Sequence, residues 1–123
     1  MTVKRDYPEA RLQKAVLQYL MLAGVDKMVY FHPANEGRRT LRTGAYLKSL
    51  GMLPGVADLV MIHDGRAYFL ELKAAGQKPS PTQWDFAERI GEAGGAWAYA
   101  DNINQAITIL RGWGLVKRMV KAA

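Results

Sequence analysis

The chain is predicted to fold as α/β, with a mixed β-sheet flanked by helices on both faces and elements in the order α-β-α-β-β-α-β-α. Three features carry this expectation. The stretch from Val56 to Lys73 is a hairpin that is apolar on both faces, as expected of central strands covered from both sides. A helical segment separates it from a short strand of small residues, Ala96 to Ala100, which makes a crossover that should be right-handed. The chain also opens and closes with amphipathic helical segments able to cover a sheet.

Asp6-Tyr7-Pro8-Glu9 has the form of a helix start, with Asp6 as N-cap, proline in the first turn and Glu9 closing a capping box. This helix should run to Leu22 or Ala23 and stop at Gly24, with Leu12, Val16, Tyr19, Leu20 and Ala23 facing the core. Met28 to His32 reads as a short strand ended by Pro33. A polar loop follows, and Thr43 to Leu50 is a short helix stopped by Gly51, with a turn at Pro54-Gly55. After the hairpin, Ala74 to Pro79 is a loop containing Lys78. Ser80-Pro81-Thr82-Gln83 repeats the capping-box pattern and opens a helix to about Ala93, with Trp84, Ala87 and Ile90 or Gly91 on its buried side. Gly94-Gly95 breaks the chain before the last strand, and Asp101 should cap a final helix through about Leu110. The tail beyond is basic and weakly amphipathic.

With 123 residues, half of them hydrophobic, the chain suits one domain spanning 1–123 with a single core. The absence of cysteine excludes a disulfide framework, thiolate zinc and a cysteine nucleophile. No long apolar run and no signal peptide are present, which places the protein inside the cell and off the membrane. Lys and Arg number 17 against 11 acids, a net charge of +6, and this favours a polyanionic partner, nucleic acid before a membrane surface.

The hairpin carries the chemistry. Asp64-Gly65 between two apolar runs signals a type I′ turn, which needs positive φ at both central residues. His63 then faces Arg66, and the pairing runs back until Asp58 lies opposite Glu71, with Cβ atoms roughly 5 Å apart. Lys73 shares their face because strand side chains alternate. Facing carboxylates repel, and at the end of buried strands a hard divalent cation is the natural means of holding them. Glu9 lies on the inward edge of its helix, where capping and a place in the acidic cluster are compatible roles. Arg38, Arg39, Arg42 and Lys48, with Asn35 nearby, form either a phosphate-contacting patch or a solvated surface. His32 and His63 are isolated and read as structural, against a zinc site.

Four segments in this order resemble the PD-(D/E)xK nuclease superfamily, and within it the virus-type replication-repair nuclease (VRR-NUC) branch. They are the loop His32-Pro-Ala-Asn-Glu-Gly-Arg-Arg39, the run from Leu47 to Asp58, Phe69-Leu-Glu-Leu-Lys73, and Ser80-Pro-Thr-Gln83, with Glu9 on the preceding helix. The superfamily proline before the aspartate is replaced by Ala57. The resemblance implies a restriction-endonuclease-like fold and metal-dependent hydrolysis of DNA phosphodiesters. By position, Asp58 and Glu71 would bind Mg²⁺ or Mn²⁺ with the Leu72 carbonyl as a third oxygen ligand. Lys73 would orient or deprotonate the attacking water or neutralise the phosphate. Glu9 would complete the acidic cluster, and Gln83 would orient Lys73 or substrate. DNA contacts would come from Asn35, Arg38, Arg39, Arg42, Lys48 and Lys78.

Small stand-alone members of the branch, of viral type, look like homodimeric nucleases selective for four-way (Holliday) junctions in DNA repair, which for a phage protein means the host cytoplasm. The alternatives are a nuclease selective for flaps or other branched DNA, and a catalytically idle nucleic-acid-binding module. Apolar residues suited to a dimer contact are Trp113, Leu115, Val116, Met119 and Val120, with Met52 and Leu53; an ordinary core role is equally open to each.

Overall fold

The computed structural model of the chain describes residues 7–34 and 41–118, without side chains for 41–43. Its elements are α1 (Pro8–Ala23), β1 (Val29–Phe31), α2 (Leu41–Ser49), β2 (Leu59–His63), β3 (Arg66–Leu72), α3 (Pro81–Glu92), β4 (Ala96–Ala100) and α4 (Ile103–Gly112). The order is the expected one.

The strands form one mixed sheet in the order β1-β2-β3-β4, antiparallel except for the parallel pair β3–β4. The hairpin turn has the predicted backbone, with φ of 49° at Asp64 and 74° at Gly65. His63 pairs with Arg66 and the ladder runs to Leu59 opposite Leu70, so Asp58 falls one residue before β2 and Glu71 at the next step of β3.

Alternation along the strands divides the sheet into two unlike faces. Leu59, Met61, Tyr68, Leu70 and Leu72 point to one side and are buried beneath α1 and α4 with Val16, Leu20, Ala106 and Leu110. The opposite face is covered by α3, whose Phe86 meets Phe69 edge-on at 5.4 Å. That cover is partial, because Val29, Phe31 and Ile62 remain exposed on the β1–β2 side. The expectation of a hairpin covered on both sides therefore holds fully on one face only.

Several local expectations need correction. α1 starts one residue later than predicted: Tyr7 is the N-cap with no side-chain cap bond, Pro8 occupies the first turn, and Asp6 lies outside the described residues. α3 is rotated from its expected phase. Phe86 is its buried residue, Gln83, Ala87 and Ile90 are half-buried, and Trp84 and Gly91 are exposed. Phe86 and Trp84 both meet aromatic rings on the sheet, Phe69 on β3 and Trp97 and Tyr99 on β4, but only Phe86 is closed off from solvent. Asn102, not Asp101, caps α4 by accepting from the Gln105 amide. Asp101 instead accepts from the Gly76 amide at 2.9 Å and ties down the loop after β3.

Leu115 and Val116 are core residues, and Trp113 is half-buried against Tyr68 at 5.3 Å. The segment after α4 is held to the end of α1 by a bridge between Gly24 and Val116 and by the Val25 amide donating to the Leu115 carbonyl. It is thus not spare surface for a dimer, and Met119 and Val120 lie outside the described residues.

Gly55, in the turn before Asp58, has a φ of 78°, and a Cβ there would lie 2.5 Å from the Thr82 carbonyl oxygen at the start of α3. Gly76 has the same φ with nothing near its Cβ position. Gly76→Ala is expected to cost about 1 kcal/mol and Gly55→Ala about 2–3 kcal/mol, since only the second adds a backbone clash to the conformational strain. Urea unfolding of the two variants measures the difference.

Candidate active site

The site is assembled at the end of the sheet where β2 begins and β3 finishes. Asp58 enters β2 half-buried, and its Oδ2 accepts from the Leu72 amide at 2.8 Å. The Asp58 carbonyl accepts from Nδ1 of His32, which follows β1. Asp58 is therefore clamped from both neighbouring strands, a consequence of its position one step before regular pairing.

Glu71 is the one buried charged or polar residue among those described, only 3 % exposed. Its pKa is pushed up from 4.5 to about 9, first by burial, then by the charge of Asp58 and a side-chain hydrogen bond with it. Lys73 opposes the rise and Glu9 adds to it. At neutral pH the carboxyl is consequently protonated in the metal-free protein. Its Oε1 accepts from Gln83 Nε2 at 3.0 Å, whereas Oε2 is buried and receives no hydrogen bond from any N–H or hydroxyl group of the described residues, leaving the retained proton to bond the two carboxyls.

Gln83 joins the site to the start of α3. Its Oε1 accepts from the Ser80 amide at 2.8 Å and from Lys73 Nζ at 3.4 Å, while its own amide donates to Ser80 Oγ. The predicted capping box is thus present, and the same side chain spans the Glu71 carboxyl and the Lys73 ammonium. Glu9 reaches the site from α1, where its Oε1 accepts from the Ala74 amide at 3.4 Å and secures the turn after Lys73.

All five residues expected to act, Glu9, Asp58, Glu71, Lys73 and Gln83, converge here. Four of them line a cavity of about 680 Å³ together with Tyr7, Lys14 and His32. The sequence assigned none of these last three to the site, and it read His32 as structural. For His32 a signal existed, since it ends the strand that pairs with β2 and so had to lie near Asp58. The DNA-contact candidates are dispersed by comparison. Lys48 is exposed in the last turn of α2 and Lys78 in the loop before α3; Arg42 lies in α2, and Asn35, Arg38 and Arg39 fall outside the described residues.

Among the described residues no group of three His, Cys, Asp or Glu side chains forms a ready cation cage. The donor set nonetheless suits a hard divalent ion that keeps open positions, because Mg²⁺ binds through one or two carboxylates and completes its shell with water and phosphate. The buried Oε2 of Glu71 is the structural mark of that fit, being an oxygen that no N–H or hydroxyl group of the described residues reaches and that has a lone pair to give once the carboxyl is ionised.

A raised carboxyl pKa has a definite sign in stability. Above pH 4.5 the unfolded chain has released the proton that the folded protein keeps up to about 9. Metal-free stability should be complete below the lower value and fall as pH rises across this window, by about 1.4 kcal/mol per pH unit. Glu71→Gln should flatten the dependence, as read by urea unfolding over a pH series in EDTA.

No family model matches the chain, and no curated protein matches it. Solved structures do. One, described as a VRR_NUC domain, is 20 % identical and superposes with a TM-score of 0.61 over 88 % of this chain and 99 % of its own. Another, a VRR_NUC domain protein, is 18 % identical with a TM-score of 0.71 over 93 % and 94 %. The chain therefore has the fold of the VRR_NUC domain structures.

Proposed function

We propose that the protein is a metal-dependent DNA endonuclease that hydrolyses phosphodiester bonds, acts as a homodimer and selects four-way junctions. The observation that carries the hydrolytic reading is the buried, proton-holding Glu71 beside Asp58, with one carboxyl oxygen that no N–H or hydroxyl group of the described residues reaches and Lys73 tethered alongside. A structural core has no use for this arrangement, since an unsatisfied buried oxygen and two neighbouring acids both cost stability.

Asp58 and Glu71 would hold Mg²⁺ or Mn²⁺, with the Leu72 carbonyl as a third oxygen. When bound, the ion supplies Lewis-acid polarisation of the phosphoryl group and easier ionisation of the attacking water. The chain's own groups do the rest. Glu71 gives up its proton to become a ligand, and Asp58 is already aimed by the Leu72 amide. Lys73, restrained by Gln83, presents a cation to the water and to the charge that builds on the phosphate. Gln83 and Glu9 are positioning residues, the first for Lys73 and Glu71 and the second for the turn that follows Lys73. Backbone contacts with DNA come from Lys48, Lys78, Arg42 and the segment holding Asn35, Arg38 and Arg39.

Junction selectivity rests on pairing two such sites about a two-fold axis, so that opposed strands are cut. Since Leu115 and Val116 are core, the contact is drawn from elsewhere. α2 packs against no other helix or strand among the described residues, and Tyr46, Leu50 and Leu53 on it and its following turn are exposed. Met52 and Leu53 also line an apolar groove there.

Three outcomes are expected. Cleavage of a labelled panel of duplex, flap, splayed and four-way DNA should be fastest on the four-way substrate and stop in EDTA. Asp58→Ala and Glu71→Ala should abolish it while DNA binding persists, and Lys73→Ala should slow single turnover by ~10²–10⁴-fold. Persistent binding without any metal-stimulated cleavage by the wild type would make the chain an idle binding module instead.

Because the cation must displace the proton on Glu71, its affinity should tighten by roughly tenfold per pH unit up to the carboxyl pKa of about 9. Calorimetry in buffers of different ionisation enthalpy reads the released proton directly. Sedimentation should show a dimer that Leu50→Asp converts to monomer; an unchanged mass would remove α2 from the interface.

A further inference from the structure

We propose that Trp84 is a stacking platform for an unpaired nucleobase beside the scissile phosphate, and that it gives the site a preference for DNA with unpaired nucleotides. The proposal rests on the hydrolytic part of the nuclease reading and not on four-way selectivity. The bases of an intact four-way junction are paired, so a junction offers such a base only where its branch point opens, and flap and splayed DNA are the substrates the platform favours.

Three aromatic rings lie on the same face of the sheet as Glu71, on the β4 side of it and outside the cavity that the acids line. Trp84 follows Gln83 on α3, and its ring centroid lies 5.1 Å from that of Trp97 and 5.6 Å from that of Tyr99 on β4. Tyr99 is the register partner of Glu71 in the parallel pair. Parallel partners sit on the same face about 4.8 Å apart across the ladder, so the aromatic group begins one strand away from the Glu71 carboxyl. Trp97 and Tyr99 are half-buried and Trp84 is 46 % exposed. Tyr99 meets Trp84 nearly edge-on, with 86° between the ring planes, and supports the indole from below.

Anchoring the sheet does not account for so much open indole. Phe86 on the same helix already fills that role against Phe69 and is buried. A large ring held rigid by two others, part open to water and one residue from a group that contacts Glu71, is suited to a flat apolar ligand arriving with the substrate. A nucleobase is that ligand. Within a duplex both faces of a base are already stacked, so only an unpaired one is free to use the indole. Stacking of this kind is tolerant of sequence, because every base has a π-face. The platform would thus report on DNA structure, which is what a branched-DNA nuclease must read.

The experiment measures binding in EDTA, where no cleavage occurs, using a fluorescein-labelled single-stranded oligodeoxyadenylate and a duplex of the same length. Trp84→Ala should weaken single-strand binding by roughly 5- to 100-fold and duplex binding by less than about twofold, and Trp84→Phe should recover most of the loss. Replacing bases by abasic sites should weaken binding to wild type but not to Trp84→Ala. This second arm perturbs the DNA and leaves the protein intact, so a misfolded variant cannot imitate it.

Equal loss on both DNAs, or wild-type affinity indifferent to abasic sites, overturns the platform. Metal-stimulated cleavage of the panel by wild type tests the nuclease reading separately. If cleavage is present and base dependence absent, only the platform fails; base-dependent binding without cleavage leaves the platform and removes the nuclease.

Discussion

The structure turns on keeping a carboxyl group out of water next to another carboxylate. Glu71 sits at the end of a central strand, where burial and the neighbouring Asp58 both oppose its ionisation. In the metal-free protein a retained proton and the amide of Gln83 meet this cost. One of its oxygens is still reached by no N–H or hydroxyl group of the described residues. A core selected for stability alone would replace such a group with an apolar residue of similar volume, which is often neutral or stabilising. The strain is tolerated because the hairpin around it is over-determined: Leu59, Met61, Leu70 and Leu72 are fully buried on the opposite side of the same two strands.

Gln83 shows how one residue type answers several demands. At the third position of α3 either Gln or Glu could close the capping box. Only the amide can also donate to Glu71 while accepting from Lys73 and from the Ser80 amide. A glutamate would add a further negative charge to a place where burial and Asp58 already disfavour one. The capping motif and the site are therefore one structure, and the start of α3 is fixed relative to β3 by the group that orders the chemistry.

The two faces of the sheet divide the work. α1 and α4 enclose a dry layer that sets strand positions, whereas α3 alone covers the other face. Asp58, Glu71 and the Trp84, Trp97 and Tyr99 rings lie on this second face, which α3 covers only in part. The likeness to VRR_NUC structures, at 18–20 % identity, is a likeness of this frame. Any chemistry belongs to the side chains that this frame carries.

The element order, the hairpin register and the convergence of Asp58, Glu71 and Lys73 were legible in the sequence, because they follow from local rules. A two-residue Asp-Gly turn admits one pairing, and strand alternation then decides which side chains share a face. The Ser80–Gln83 capping box was legible for the same reason.

Only tertiary packing decided the remainder. The phase of α3 follows from Phe86 closing over Phe69 while Trp84, expected on the buried side, lies at the margin against Trp97 and Tyr99 and stays exposed, contacts made between residues far apart in sequence. Asp101 gave up its expected capping role because a loop amide at Gly76 competed for its carboxylate. Leu115 and Val116 became core because they fold back on the end of α1, and no local pattern records that contact. The perturbed state of Glu71 likewise belongs to the folded chain, since desolvation exists only once helices and strands have closed around the group.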